Sequence, residues 1–155
     1  MVSKQPKRKA RDGVDEYGRT ELHNALVRLS GDVDLAMITN LIDGGADPNA
    51  RDDVGFTPLH FAAQNSLPEV AKLLLDAGAD PNAKDEYGNG PLFRAANTDG
   101  GLEVVKKLLA AGADPFAENN FGISPAEVVF DSTADDPDVA RCIRVAAGLY
   151  REAQG

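Results

Sequence analysis

The chain has 155 residues, 43% hydrophobic and 26% charged, which fits one soluble core-forming domain or a short repeat array and excludes a disordered tail. Its single cysteine, Cys142, excludes an internal disulfide and a cysteine-based zinc cage, so a reduced, cytoplasmic setting is the simplest expectation. The formal charge is −9: residues 1–13 hold five of the sixteen bases and one of the twenty-five acids, leaving eleven against twenty-four, or −13, for residues 14–155. Such a body disfavours nucleic acid and attracts basic partners, and no run of about 18 apolar residues is present to span a membrane.

Residues 1–13 carry Lys4, Lys7, Arg8, Lys9 and Arg11 without hydrophobic periodicity. They read as a flexible, solvated basic tail, with no apolar run to make a secretory signal and no aromatic residue to stack on bases.

From Val14 onward two motifs interleave at one period. Gly45-Ala46-Asp47-Pro48-Asn49-Ala50 returns as Gly78-Ala79-Asp80-Pro81-Asn82-Ala83 and as Gly112-Ala113-Asp114-Pro115-Phe116-Ala117, at spacings of 33 and 34 residues. Tyr17-Gly18-Arg19-Thr20 is echoed by Val54-Gly55-Phe56-Thr57, Tyr87-Gly88-Asn89-Gly90 and Phe121-Gly122-Ile123-Ser124, whose glycines lie 37, 33 and 34 residues apart. Each unit predicts a turn followed by two helices. Thr57-Pro58 supplies an N-cap with proline at the first helical position, Gly90-Pro91 and Ser124-Pro125 repeat that chemistry, and Thr20-Glu21 puts an acid there instead.

First helices are expected over 20–29, 57–65, 90–97 and 124–130. Second helices show apolar stripes: Leu35, Ile38, Leu41 and Ile42; Val70, Leu73, Leu74 and Ala77; Val105, Leu108 and Leu109; and Val139, Ile143, Ala146 and Tyr150. Gly45, Gly78 and Gly112 stop the helices before them. One helix pair cannot bury both its faces, so four pairs stack into a continuous core, with Ala62, Ala63, Ala95 and Ala96 permitting close approach. The expected fold is an all-α repeat solenoid of four helix-turn-helix units with short β-hairpin loops, in a domain at 14–150 with repeats near 15–51, 52–84, 85–118 and 119–150.

Thr57-Pro58-Leu59-His60-Phe61-Ala62-Ala63 is similar to the core of the ankyrin repeat, and the resemblance runs from about Val14 to Tyr150. The first repeat departs from the pattern by about four extra residues near 29–34. The third has Gly90 for Thr, Phe93 for His and one extra residue near Asp99. The fourth has Glu127 for His, an acidic insert at 131–136 and no closing Gly-Ala-Asp, as a capping repeat would.

No constellation points to catalysis or to a cofactor. His23 and His60 share one slot of the repeat and read as imidazoles bonded to the loop of an adjacent repeat. They form no His-x-x-x-His pair, the acids of 131–138 lack EF-hand spacing, and the glycine turns lack the Lys-Ser or Lys-Thr of a phosphate loop. Cys142 falls on the periodic face of the last helix, as a core residue.

The resemblance implies a protein-binding surface, concave, lined by loop tips and first helices. Carried onto this chain, one tip row is Tyr17, Val54, Tyr87 and Phe121, and a second is Arg19, Phe56, Asn89 and Ile123. First-helix positions add Val27, Arg28, Gln64, Asn65, Asn97 and Thr98. Arg94 takes a position the family usually fills with Leu, which leaves two places for it: a salt bridge to a hairpin acid, or the concave face. Acids at the tips (Glu16, Asp53, Glu86, Glu118) favour a partner protein with a basic surface, and the array is expected to be monomeric when unbound. The wording of residues 85–95 also resembles the ankyrin proteins encoded beside bacterial toxins. That likeness implies a non-catalytic inhibitor or immunity protein covering a basic effector; the alternative is a general adaptor or scaffold.

Overall fold

A computed structural model describes residues 13–27, 33–131 and 137–154. The basic tail before Gly13, the extra residues near 29–32, Arg28 and most of the acidic insert lie outside them. Eight helices are found among the described residues: α1 (Glu21–Val27), α2 (Leu35–Asp43), α3 (Pro58–Gln64), α4 (Pro68–Asp76), α5 (Pro91–Ala96), α6 (Leu102–Ala110), α7 (Pro125–Asp131) and α8 (Pro137–Gln154).

Local chemistry sets their starts. Proline opens α3, α4 and α5, where its missing N–H goes unneeded. The Asp34 carboxylate caps α2 by accepting from the Met37 N–H at 3.1 Å. Thr57 and His60 cap α3 reciprocally, the hydroxyl toward the third helical residue and the imidazole back to the Thr57 N–H.

The helices pack in two layers. First helices run α1–α3–α5–α7, second helices α2–α4–α6–α8, and each consecutive pair also touches. Leu22, Leu26, Ile38, Leu59, Leu74, Leu108 and Ile143 fill the seam between the layers. Ala62, Ala63 and Ala95 are wholly buried, so first helices meet with little side chain between them. Leu35, expected in the buried stripe of α2, is exposed together with Met37. Among the described helices of its layer α2 packs on α4 alone, so one side of it is left uncovered by them. Cys142 packs against the core, half-buried.

The loops close as tight turns. Among the described residues the only strand-like pairing is one isolated antiparallel bridge, Val14 to Thr20. Each turn is nonetheless closed by one backbone bond of hairpin type: Asp15 N–H to Arg19, Asp52 N–H to Phe56, Asp85 N–H to Asn89 and Asn119 N–H to Ile123, all 2.9–3.0 Å.

Two glycines show separate reasons for having no side chain. Gly78 has φ +92° after α4, and an added Cβ would meet nothing within 4 Å. Gly88 has φ +77°, and its Cβ would lie 2.7 Å from the Asn120 backbone nitrogen. Gly78→Ala should therefore lower stability by about 1 kcal/mol, from backbone strain alone. Gly88→Ala should lose at least about 2 kcal/mol, because the next turn must also move. Urea unfolding of the two variants, monitored by helical circular dichroism, checks the order.

Candidate protein interface

The tips are built by repetition of one Asx turn. Asp15, Asp52, Asp85 and Asn119 each use Oδ1 to accept the backbone N–H groups two and four residues ahead, at 2.8–3.0 Å. Successive tips are joined by backbone bonds: Asp53 N–H to the Tyr17 carbonyl, Glu86 N–H to Val54 and Asn120 N–H to Tyr87, at 2.9–3.0 Å.

This ladder holds Tyr17, Val54, Tyr87 and Phe121 outward. All four are exposed, Phe121 most at 72%. The Tyr87 phenol is held above its ordinary value by a hydrogen bond to the Glu86 carboxylate and by that group's charge.

The second row is not a row of free side chains. Ile123 is exposed, but Asn89 is buried, a correction to the expectation that it lines the surface. Its backbone carbonyl accepts from His60 and its Oδ1 from Asn119 Nδ2 at 2.9 Å, so it joins repeats. Phe56 is half-buried: its ring stacks on His60 at 5.3 Å and meets Phe61 edge-on at 5.3 Å. The two arginines are also tied down. Arg19 lies over the Tyr17 ring at 5.0 Å and the Phe61 ring at 5.4 Å, with Asp52 at 3.7 Å. Arg94 lies over Phe56 at 4.8 Å and forms a short ion pair with Asp85.

Of the two places open to Arg94 in the sequence, the salt bridge to a hairpin acid is formed. Arg94 pairs with that fully buried acid while a quarter of its side chain stays exposed. Gln64, Asn65, Asn97 and Val27 end the first helices and are exposed; the Asn65 and Asn97 amides fold back onto the Phe61 and Phe93 carbonyls. The Thr98 hydroxyl donates to the Arg94 carbonyl. Sequence reasoning missed Phe61 as a member of this cluster, and its signal was an aromatic in the variable slot of Thr-Pro-Leu-His-x-Ala.

The histidines act as expected. In each, Nδ1 accepts a backbone N–H, of Thr20 or Thr57, at 3.1 Å, so the ring proton sits on Nε2. Nε2 then donates across the repeat boundary, from His23 to the Phe56 carbonyl and from His60 to Asn89, both at 3.0 Å. Burial pushes both imidazoles below the ordinary 6.5, against the smaller upward pull of the accepting carbonyls. Phe93 occupies this slot in the third repeat. Glu127 occupies it in the fourth, where it accepts the Ser124 N–H and hydroxyl at 2.8 Å and is held below the ordinary carboxylate range by them. Among the described residues no three His, Cys, Asp or Glu side chains converge as metal ligands, and no helix is long and apolar enough to cross a membrane.

Stacked helix pairs, Thr-His clamps and laddered tips describe a protein-binding repeat scaffold. A family model for ankyrin repeats in three copies matches residues 22–119, and the chain belongs to the ankyrin-repeat family. It is similar to protein phosphatase 1 regulatory subunit 27 of Mus musculus, 36% identical over 63 residues covering 41% of this chain and 38% of that protein. The Homo sapiens protein of the same name is 38% identical over 61 residues, 39% of this chain and 37% of its own. The matches thus cover less than two-fifths of those relatives' length.

Two outcomes follow from this geometry. The unfolded chain takes up protons on the imidazoles near 6.5, while the folded chain keeps them neutral to lower pH. Their contribution is complete above about pH 6.5 and is lost as pH falls through the depressed folded values. Urea midpoints should drop from pH 7.5 toward pH 5, and His60→Gln, less stable at the start, should drop less steeply. Arg94→Ala should cost about 2 kcal/mol by leaving the Asp85 carboxylate buried without its cation. Arg94→Lys should recover only part, since an ammonium restores charge without the plane that stacks on Phe56; equilibrium unfolding reads both.

Proposed function

We propose that the chain is a non-catalytic regulator that binds one protein through the tip row and the outer ends of the first helices. The observation that carries this reading is the row Tyr17, Val54, Tyr87 and Phe121, exposed side by side on a hydrogen-bonded backbone ladder. Aromatic side chains on a rigid frame lose little entropy on binding and are favoured as interface hot spots. The −13 body and the acids beside the first three apexes suit a partner with a basic surface.

The finer form of this reading is an inhibitor of the immunity type, closing the basic groove of an effector such as a nuclease. It rests on the acidic tips and the wording of residues 85–95. A second reading is favoured by the names of the relatives: a regulatory subunit of a protein phosphatase. The two readings differ in the partner and share the surface.

Phe56 belongs with the scaffold in this reading, because its ring is enclosed by Arg94, His60 and Phe61. Replacing Tyr17, Tyr87 and Phe121 together with Ala should weaken partner binding by at least about 2 kcal/mol with little change in the urea midpoint. Phe56→Ala should do the reverse, lowering stability by about 2 kcal/mol. Affinity capture from host lysate, with the triple variant as control, should give one dominant basic partner lost with the variant. Calorimetry against the catalytic subunit of protein phosphatase 1 tests the second reading, and binding there in place of a basic effector would displace the immunity form.

A further inference from the structure

The tips are seated on one another through their backbones, and the last described tip repeats the seat at an open edge. A Cβ on Gly18, Gly55 or Gly88 would come within 2.7–3.2 Å of the backbone nitrogen of Asp53, Glu86 or Asn120 in the next tip. Those same nitrogens donate to the carbonyls of Tyr17, Val54 and Tyr87. Gly122 keeps the left-handed backbone of the other three, with φ +73°, but its added Cβ would meet nothing within 4 Å. Among the described residues no hydrogen bond ends on the Phe121 carbonyl. An unpaired carbonyl on an ordered edge is a template for the backbone of another chain.

Charge at this edge selects what fits it. The residue before each inner Asx turn sends its side chain to the backbone of the following repeat: Arg51 donates to the Lys84 carbonyl, and Lys84 Nζ to the Glu118 carbonyl at 2.7 Å. Glu118 holds the same position in the fourth repeat, with the opposite charge. It is exposed and, among the described residues, has no ion pair. A base arriving in the register of Arg51 and Lys84 would therefore face Glu118. A second copy of the chain would bring its first tip, which carries Val14 in that register and then Asp15 and Glu16, so it offers acids in place of a base. We propose that the open edge at Glu118, Phe121 and Gly122 takes a turn of a basic protein partner, which donates a backbone N–H to the Phe121 carbonyl and sets a Lys or Arg beside Glu118. The partner then extends the ladder by one tip. This rests on the tip row being the partner surface, with Phe121 as its last member.

The probe is a synthetic peptide of residues 50–57, cyclised through its ends to hold the turn: an Asx turn with Arg51 in the register that faces Glu118. Added to the full chain, it should shift the amide resonances of Phe121, Gly122 and Ile123 and leave those of α4 in place. Gly122→Asn should weaken its binding at least about tenfold, because the new Cβ stands where the incoming backbone must sit. Asn visits the left-handed region and its Cβ meets nothing in the chain itself, so the urea midpoint should move little. Glu118→Lys in the chain, or Arg51→Glu in the peptide, should each weaken binding at least about threefold, and the two reversals together should restore it. No shifts at millimolar peptide, equal binding by Gly122→Asn, or indifference to the charge reversals would overturn the proposal. A concentration-dependent mass in sedimentation that Gly122→Asn abolishes would also overturn it, by assigning the edge to a second copy. Failure of the tip-row reading has a separate signature: a captured partner retained by the Tyr17→Ala, Tyr87→Ala double variant but lost with Gly122→Asn. The converse, a partner lost with the double variant and retained by Gly122→Asn, sinks the edge alone.

Discussion

The first two joints of this array each hang on a neutral imidazole shared between two loops. His23 and His60 each accept from the N-cap of their own helix and donate to the tip of the next repeat. One side chain therefore fixes a helix start and a repeat-to-repeat distance at once. The chemistry demands the neutral ring, since a protonated Nδ1 has no lone pair for the Thr N–H. In the fourth repeat Glu127 keeps the cap, on Ser124, without an imidazole.

The surface inherits its order from that clamp. Donation to the Phe56 carbonyl sets the tip whose ring then packs against both Arg94 and His60. Arg94 in turn neutralises Asp85, whose other oxygen holds the third tip closed. Charges in this cluster are thus spent internally: Asp52 faces Arg19 and Asp85 faces Arg94. What is left facing outward is apolar at the apexes and acidic beside them. A partner bound there, as proposed, would meet side chains carried on a hydrogen-bonded frame, which lowers the entropy lost on binding.

The architecture was legible in the sequence because each of its signals is local. Thr57-Pro58 and Ser124-Pro125 announce helix starts, and Gly45, Gly78 and Gly112 sit after helix ends with φ between +91° and +96°. The histidine slot was legible for the same reason, since an imidazole three residues past a threonine can cap only in one way. The second tip row was not. Asn89 and Ile123 hold equivalent positions, yet one is buried and the other exposed, because Asn89 has a following tip to bond and Ile123 closes the last described one. Exposure there depends on the neighbour in space. Leu35 differs for a related reason: its stripe is correctly helical, but α2 stands at the end of its layer.

The joints between repeats are unequal in kind. The first and second each contain one imidazole. The third replaces it with amides and a lysine: Asn119 Nδ2 donates to Asn89, Asn120 Nδ2 donates to the Glu86 carbonyl, and Lys84 Nζ donates to the Glu118 carbonyl. The side-chain amides of Asn119 and Asn120 carry no titratable group. In a stacked array, stability is the sum of each repeat and its nearest-neighbour contacts, so acid acts on the first two joints and spares the third. The aromatic residues Tyr17 and Tyr87 lie across the sensitive joints, whereas Phe121 lies beyond the insensitive one. Protonating His23 and His60 should therefore weaken the first two joints before the third, which is tied through Asn119 and Asn120.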